Sequence, residues 1–251
     1  TYDANTDALA GAITLSNLVS GEALNHSGTA TIGSANAGSY TITNLSGISI
    51  ADGSGGTASN YTLTGGTHNF TINQRPLAAT IARQYDGTKT AAGSDLSSFD
   101  ALQGGETLTM TGSGTAASAN VANGIAMSSN GTLALADGTG LASNYSLNST
   151  VINIAQRVLN SSGSKTYDAN TDALAGAITL SNLVSGEALN HSGTATISSA
   201  NAGSYTITNL SGISIADGSG GTASNYTLTG GTHNFTVNRR AVSVSGTRLY
   251  D

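Results

Sequence analysis

Residues 1–73, TYDANTDALAGAITLSNLVSGEALNHSGTATIGSANAGSYTITNLSGISIADGSGGTASNYTLTGGTHNFTIN, stand again at 166–238 with two differences, Gly33 against Ser198 and Ile72 against Val237. The shift of 165 residues covers two periods, because a diverged copy lies between. A Tyr-Asp pair marks each period: Tyr2-Asp3, Tyr85-Asp86, Tyr167-Asp168 and Tyr250-Asp251, at steps of 83, 82 and 83 residues. The chain is a tandem array, and its period of about 82 residues overrides the prior of one or two domains that the length of 251 would give. A near-verbatim copy argues against one specialised active site and for reach, avidity or mechanical length.

Within the period, apolar residues alternate with polar ones. Ile13 and Leu15, then Ala30 and Ile32, then Tyr40 and Ile42, then Ile48 and Ile50 recur at period two, as do Tyr61, Leu63, Phe70 and Ile72. No stretch sustains a helical period over ten residues, and the Thr, Val, Ile and Tyr content favours strands. Asn17-Leu18-Val19-Ser20-Gly21-Glu22 reads as at most one helical turn ended by Gly21, and Asp52-Gly53-Ser54-Gly55-Gly56 reads as loop. Arg75-Pro76-Leu77 marks a joint at the only proline, and an apolar strand follows each joint: Leu77 to Ile81, Val158-Leu159, and Val242 with Val244. The modules implied are 1–75, lacking its first strand; 76–157; 158–240; and 241–251, the first strand of a following repeat.

Composition excludes several classes. The chain carries 8 basic and 14 acidic residues, a net charge of −6, and no basic run, which disfavours nucleic acid or an anionic membrane. No apolar run of about 18 residues marks a membrane span. There is no cysteine, so an extracellular chain of this kind depends on packing, metal or other means than disulfides. The Ser, Thr, Asn and Gly content matches large bacterial surface proteins. No signal-peptide pattern is present, and the recurrence of the landmark at both ends reads as a piece of a longer array.

The diverged middle copy keeps Gly105-Glu106, Ala136-Asp137-Gly138 and Ser143-Asn144-Tyr145-Ser146-Leu147, which parallel Gly21-Glu22, Ala51-Asp52-Gly53 and Ser59-Asn60-Tyr61-Thr62-Leu63. These positions read as serving the fold: a buried tyrosine supplies apolar area, and the preceding Asn closes a turn through its side chain. Together with Tyr85-Asp86-Gly87-Thr88, Asn36-Ala37-Gly38 and Ile72-Asn73-Gln74-Arg75-Pro76-Leu77, they make the chain resemble the YDG-type repeat. That repeat is related to the MBG type and is found in large filamentous-haemagglutinin-like, two-partner secreted bacterial adhesins. Repeats 1 and 3 depart at Ala4 and Ala169, where the family has Gly. The resemblance implies an all-β tandem array of β-sandwich-like modules forming an elongated rod, secreted to the cell surface, with no catalytic residue to transfer. A β-grasp-like module with one short helix is the alternative fold.

Candidate chemistry is sparse. Asp3, Asn5 and Asp7, with Asp168, Asn170 and Asp172, match the first three oxygen ligands of a calcium loop. The pattern then fails, with Ala8 at the sharp-turn Gly position and Thr14 at the bidentate Glu position, and a turn is the plainer reading. His26, His68, His191 and His233 lack Cys or close carboxylates for a metal site and read as exposed strand residues. No Gly-x-Ser-x-Gly elbow exists and the middle repeat has no His, so no enzyme is expected. Lys-Asn cross-links are limited to Lys89 and Lys165, and sequons such as Asn25, Asn44, Asn60, Asn69 and Asn130 are what this composition yields by chance.

The function expected is that of stalk or spacer repeats of a secreted adhesin, projecting an adhesive region for attachment and biofilm formation. The alternative is repeats that themselves bind host or matrix glycans by avidity. No cofactor is expected. The partners expected are neighbouring repeats and, by head-to-tail strand addition through residues 241–251, a second copy of the chain.

Overall fold

The computed structural model describes residues 1–249; Tyr250 and Asp251, the fourth landmark, lie outside the described residues. The fold is all-β, in sandwich-like repeats, and the helical content is confined to 3-10 turns of three residues such as Ala10–Ala12 and Ala223–Asn225. The short helix read at 17–22 is instead a turn. Glu22 N–H donates to the Val19 carbonyl at 3.0 Å, with Asn17 and Gly21 both at positive φ. Without that helix, the β-grasp alternative has no basis.

Packing divides the described residues into two compact units. The first holds Thr1–Ile81, Ala91–Thr115 and Ala126–Val151; the second holds Ala82–Thr90, Ala116–Ile125 and the chain from Ile152. The middle repeat supplies segments to both, so each unit contains one junction between successive repeats.

Repeat 3, in the second unit, is the most complete. Its sheet runs in the order Asp172–Leu174, Leu189–Ile197, Gly203–Asn209, His233–Asn238, Asn160–Thr166, Ile178–Ser181, with Ile213–Asp217 also paired to Leu189–Ile197. Asn160–Thr166 is the opening strand. It pairs parallel with His233–Asn238, setting Gly163 opposite Phe235, and antiparallel with Ile178–Ser181. The alternating positions Ile178, Ala195, Ile197, Ile207, Phe235 and Val237 form the core, as period two requires of sheets buried on one face.

Repeat 1, in the first unit, has the corresponding Asp7–Leu9, Leu24–Ile32, Gly38–Asn44 and Asn69–Ile72 in that order, with Ile48–Asp52 on Leu24–Ile32. Thr1 aligns with Thr166, so the described residues of this repeat start just after the position of Asn160–Lys165. The strand expected around Ile13 and Leu15 does not form there, although its twin Ile178–Ser181 does. A strand is fixed by the hydrogen bonds of its neighbour, and no strand among the described residues pairs with Ile13–Ser16. At the other end, residues 241–249 carry no strand and are exposed, with Val242 at 88% and Val244 at 95%.

The Ala4 and Ala169 departures leave the turn geometry intact. Both residues adopt φ 65°, close to the 79° of Gly87 in the middle repeat, so alanine occupies a left-handed turn that suits glycine.

Candidate functional site: the junction between repeats

The residues common to all three repeats converge where one repeat meets the next. In the first unit, Tyr2 of repeat 1 donates its hydroxyl to Glu106 Oε1 at 2.5 Å, and Tyr145 of repeat 2 donates to Glu106 Oε2 at 2.5 Å. The two rings meet edge to face, with centroids 5.4 Å apart. In the second unit, Tyr85 and Tyr226 donate to the two oxygens of Glu187 at 2.6 and 2.7 Å, with the same edge-to-face contact at 5.4 Å. One carboxylate thus bridges two tyrosines from successive repeats, twice in the chain.

Local structure explains the aim of each group. Gly105 and Gly186 sit at positive φ and turn the chain, and the Glu106 N–H closes on the Gln103 carbonyl at 2.8 Å. Tyr145 and Tyr226 each follow a 3-10 turn, and their hydroxyl oxygens accept from the backbone N–H groups of Gln103 and Val184, at 3.0 and 3.1 Å. Tyr2 is tied by its own N–H to the Asn73 carbonyl at 2.8 Å. Burial first, then the hydrogen bond to the carboxylate, pushes Tyr2 and Tyr226 up to about 12, because ionising either phenol would place a second negative charge in the same dry spot. Tyr85 and Tyr145 are raised for the same causes in the same order.

Three further pairs complete the junction. Asn144, 1% exposed, donates to Asn36 Oδ1 at 3.0 Å and accepts from the Ala37 N–H at 2.8 Å; Asn225, also 1% exposed, does the same with Asn120 and Val121 at 3.0 and 2.9 Å. Arg75 Nε donates to the Ala101 carbonyl and Arg157 Nε to the Asn182 carbonyl, each at 2.6 Å. Gln74 and Gln156 reach the carbonyls of Ser143 and Ser224, each at 3.1 Å. The sequence reading of the Asn before Tyr as a local turn closer is therefore corrected: at the two filled junctions its side chain binds the preceding repeat. The signal was present in the recurrence of Tyr-Asp, Gly-Glu and Ser-Asn-Tyr in the diverged copy, since residues that hold neighbours together must survive in every copy.

The calcium candidates take no side-chain part in the Tyr–Glu–Tyr bridges, although the Asp3 carbonyl accepts from Gln103 Nε2 of the next repeat at 3.0 Å. Asp168, Asn170 and Asp172 gather around Lys165, whose ammonium contacts Asn170 Oδ1 at 2.6 Å, the carbonyls of Asn170 and Asp172 at 2.9 and 2.7 Å, and Asp168 Oδ1 at 2.9 Å. Asp3, Asn5 and Asp7 form the same loop without the amine: Asp3 Oδ1 accepts from the Asn5 N–H and Asn5 Oδ1 from the Asp7 N–H. Arg83 performs the equivalent task in the middle repeat, pairing with Asp86 at 2.6 Å and donating to the Thr88 carbonyl. Among the described residues no cluster of three His, Cys, Asp or Glu could hold a metal ion.

The histidines are not the exposed strand residues expected. His26 and His191 Nε2 contact the carbonyls of Ala10 and Ile13, and of Ala175 and Ile178, pinning the segment before the first long strand. His233 is buried against Ser161 Oγ at 2.9 Å.

An all-β tandem repeat with a built, recurring junction is the class that this geometry defines. The YDG domain family matches at residues 1–69, 71–152 and 155–234, and the chain belongs to that family. No curated protein and no solved structure matches it.

Proposed function

We propose that these YDG repeats are spacer modules of a secreted bacterial surface adhesin, holding an adhesive region away from the cell for attachment and biofilm formation. The observation that supports this reading is the junction itself. The same Tyr–Glu–Tyr bridge, buried Asn pair and Arg–carbonyl contact is built twice, so each repeat is locked to its neighbour by side chains rather than strung on a flexible linker. Nearest-neighbour locking transmits position along an array, and a weakly charged Ser/Thr/Asn surface keeps it soluble. Neither bridge offers a free nucleophile or base, since each glutamate oxygen already accepts a tyrosine hydroxyl. The glycan-binding alternative draws no support from the rings, because Tyr2, Tyr85, Tyr145 and Tyr226 are buried in junctions.

Small-angle X-ray scattering tests the spacer role. The expected result is the profile of modules in line, stiffer in wild type than after Glu106→Ala and Glu187→Ala together. A compact wild-type particle, or a profile unmoved by the double change, would overturn it. Antibody labelling of intact cells tests the surface location.

A further inference from the structure

The two junctions are built alike at the bridge and differently beside it. The turn after the Tyr-Asp landmark of one repeat lies against the residue three positions before the bridging glutamate of the next. In the second unit these are Gly87 and Val184, and a Cβ at Gly87 would stand 2.9 Å from Val184 Cγ1. In the first unit the turn carries a side chain, Ala4, and the facing residue is Gln103, whose Nε2 donates to the Asp3 carbonyl at 3.0 Å. Both turns hold the left-handed region, at φ 79° for Gly87 and 65° for Ala4, so the backbone presents the two positions alike.

A third position changes with them. Gln103 Oε1 accepts from the Arg75 guanidinium at 3.1 Å. Val184 offers no such acceptor, and Asn182 Oδ1 takes the equivalent guanidinium, that of Arg157, at 2.9 Å. The middle repeat has Ala101 at the position of Asn182. The three positions therefore exchange as a set. The first and third repeats carry Ala, Asn and Val there (Ala4, Asn17, Val19; Ala169, Asn182, Val184), and the middle repeat carries Gly87, Ala101 and Gln103.

We infer that these positions determine which repeat can follow which. A repeat with valine three before the glutamate accepts a preceding landmark turn that ends in glycine and rejects one that ends in alanine. Valine is branched at Cβ and stiff at χ1, so its methyl group cannot swing away from an added Cβ without leaving its rotamer well. A repeat with glutamine there accepts the alanine turn, since glutamine is unbranched at Cβ and binds the turn through its far end. The surface around Val184 thus fits the middle repeat and excludes a direct junction with a near-copy of its own repeat, specificity set by a clash against the wrong neighbour. The divergence of the middle repeat has a function in this reading: it lets two nearly identical repeats stand in one array, each joined to a neighbour it fits. The inference rests on the junctions and is independent of where the protein resides.

Amide hydrogen exchange on the full chain tests this, because each junction has its own reporter. The Val121 N–H donates to Asn225 Oδ1 across the second junction at 2.9 Å, and the Ala37 N–H to Asn144 Oδ1 across the first at 2.8 Å. Gly87→Ala should speed exchange at Val121 at least about ten-fold and leave Ala37 within about two-fold. Adding Val184→Gln should recover most of that loss, although Val184→Gln alone should bring no gain. The first junction carries the reciprocal test. Gln103→Val should speed exchange at Ala37, and Ala4→Gly should slow it by a larger factor in that background than in wild type. Unchanged exchange at Val121 in Gly87→Ala would overturn the inference. So would a loss that Val184→Gln does not reduce, which would lie in the turn alone, or an Ala4→Gly gain that is the same with and without Gln103→Val. None of these outcomes bears on the spacer role, which scattering from the glutamate variants tests separately.

Discussion

Residues 1–73 and 166–238 share all but two side chains and yet do not form the same strands. Ile178–Ser181 is a strand and Tyr226–Thr227 a short one; Ile13–Ser16 and Tyr61-Thr62 are neither. Asn225 is 1% exposed and Asn60 lies open to solvent; Tyr226 is sealed by Tyr85, whereas Tyr61 bonds Glu22 with no second ring. Neither Gly33→Ser nor Ile72→Val accounts for this. The difference lies in the partners: the third copy pairs with Asn160–Thr166 and packs against Tyr85 and Asn120 of the middle repeat, contacts that no described residue supplies to the first copy. Strand formation, burial and junction are thus properties of the pair of segments, and a repeat of this kind is a complete folding unit only together with its neighbour.

The largest break in that comparison comes from the opening strand itself. Leu159→Ala removes a fully buried side chain and should destabilise the second unit by about 2–5 kcal/mol in denaturant unfolding. Val242→Ala, at the aligned position, should change stability by no more than about 0.5 kcal/mol, since the residue is exposed. Equal effects at the two positions would mean that residues 241–249 are packed in solution.

Next in size is the bridge. Glu187→Ala leaves the hydroxyls of Tyr85 and Tyr226 short of an acceptor and should cost about 1–3 kcal/mol. Glu22→Ala, with a single half-buried partner in Tyr61 and no second ring, should shift the unfolding midpoint much less. The bridge also has a pH signature. Tyr2 and Tyr226 are pushed from 10.0 to about 12, so the folded chain holds these protons more tightly than the unfolded one. Their contribution is complete below pH 10 and is lost as pH rises through about 12. Thermal unfolding at pH 9, 11 and 12 should show that fall, and phenolate absorbance should show these two rings titrating late.

Much of this was legible in the sequence, and the limit has a physical origin. The period, the all-β character and the core positions follow from alternation and from self-similarity, both local signals. The junction was half legible: the recurring motifs were singled out, but Asn144 was read as a turn closer because a sequence shows neighbours along the chain and not across a repeat boundary. The histidines were misread for a similar reason, since a partner such as Ser161 for His233 lies 72 positions away. The fate of Ile13–Ser16 was not legible at all from its own residues, because the same residues form a strand elsewhere.

A smaller effect tests the turn after the landmark in both copies at once. Ala4 and Ala169 hold φ 65° where a side chain costs about 1–2 kcal/mol relative to glycine. Ala169→Gly should therefore stabilise the chain by about 1 kcal/mol, and Ala4→Gly by a similar amount. The Asp3 carbonyl beside Ala4 also accepts from Gln103 Nε2 of the next repeat at 3.0 Å, so unequal gains would measure what a following repeat adds to the turn.

The smallest effect belongs to the loops at Asp3 and Asp168, the second of which holds the amine of Lys165. Its hydrogen bond is the first cause holding the Asp168 carboxyl below the ordinary aspartate value. That contribution is present at neutral pH and is lost as pH falls through the depressed value, so wild type and Lys165→Met should differ above the usual aspartate range and converge in acid. An exposed pair of this kind should shift the unfolding midpoint barely at all. The variant also makes the third repeat's loop equal to the first, which turns it into a calcium test. In both loops the first two oxygen ligands, at Asp3 and Asn5 and at Asp168 and Asn170, already accept from backbone N–H groups. Millimolar calcium should consequently leave the midpoints of wild type and Lys165→Met unchanged. A rise in both chains, larger in Lys165→Met, would mean that the lysine stands in for a cation which the first repeat is free to bind.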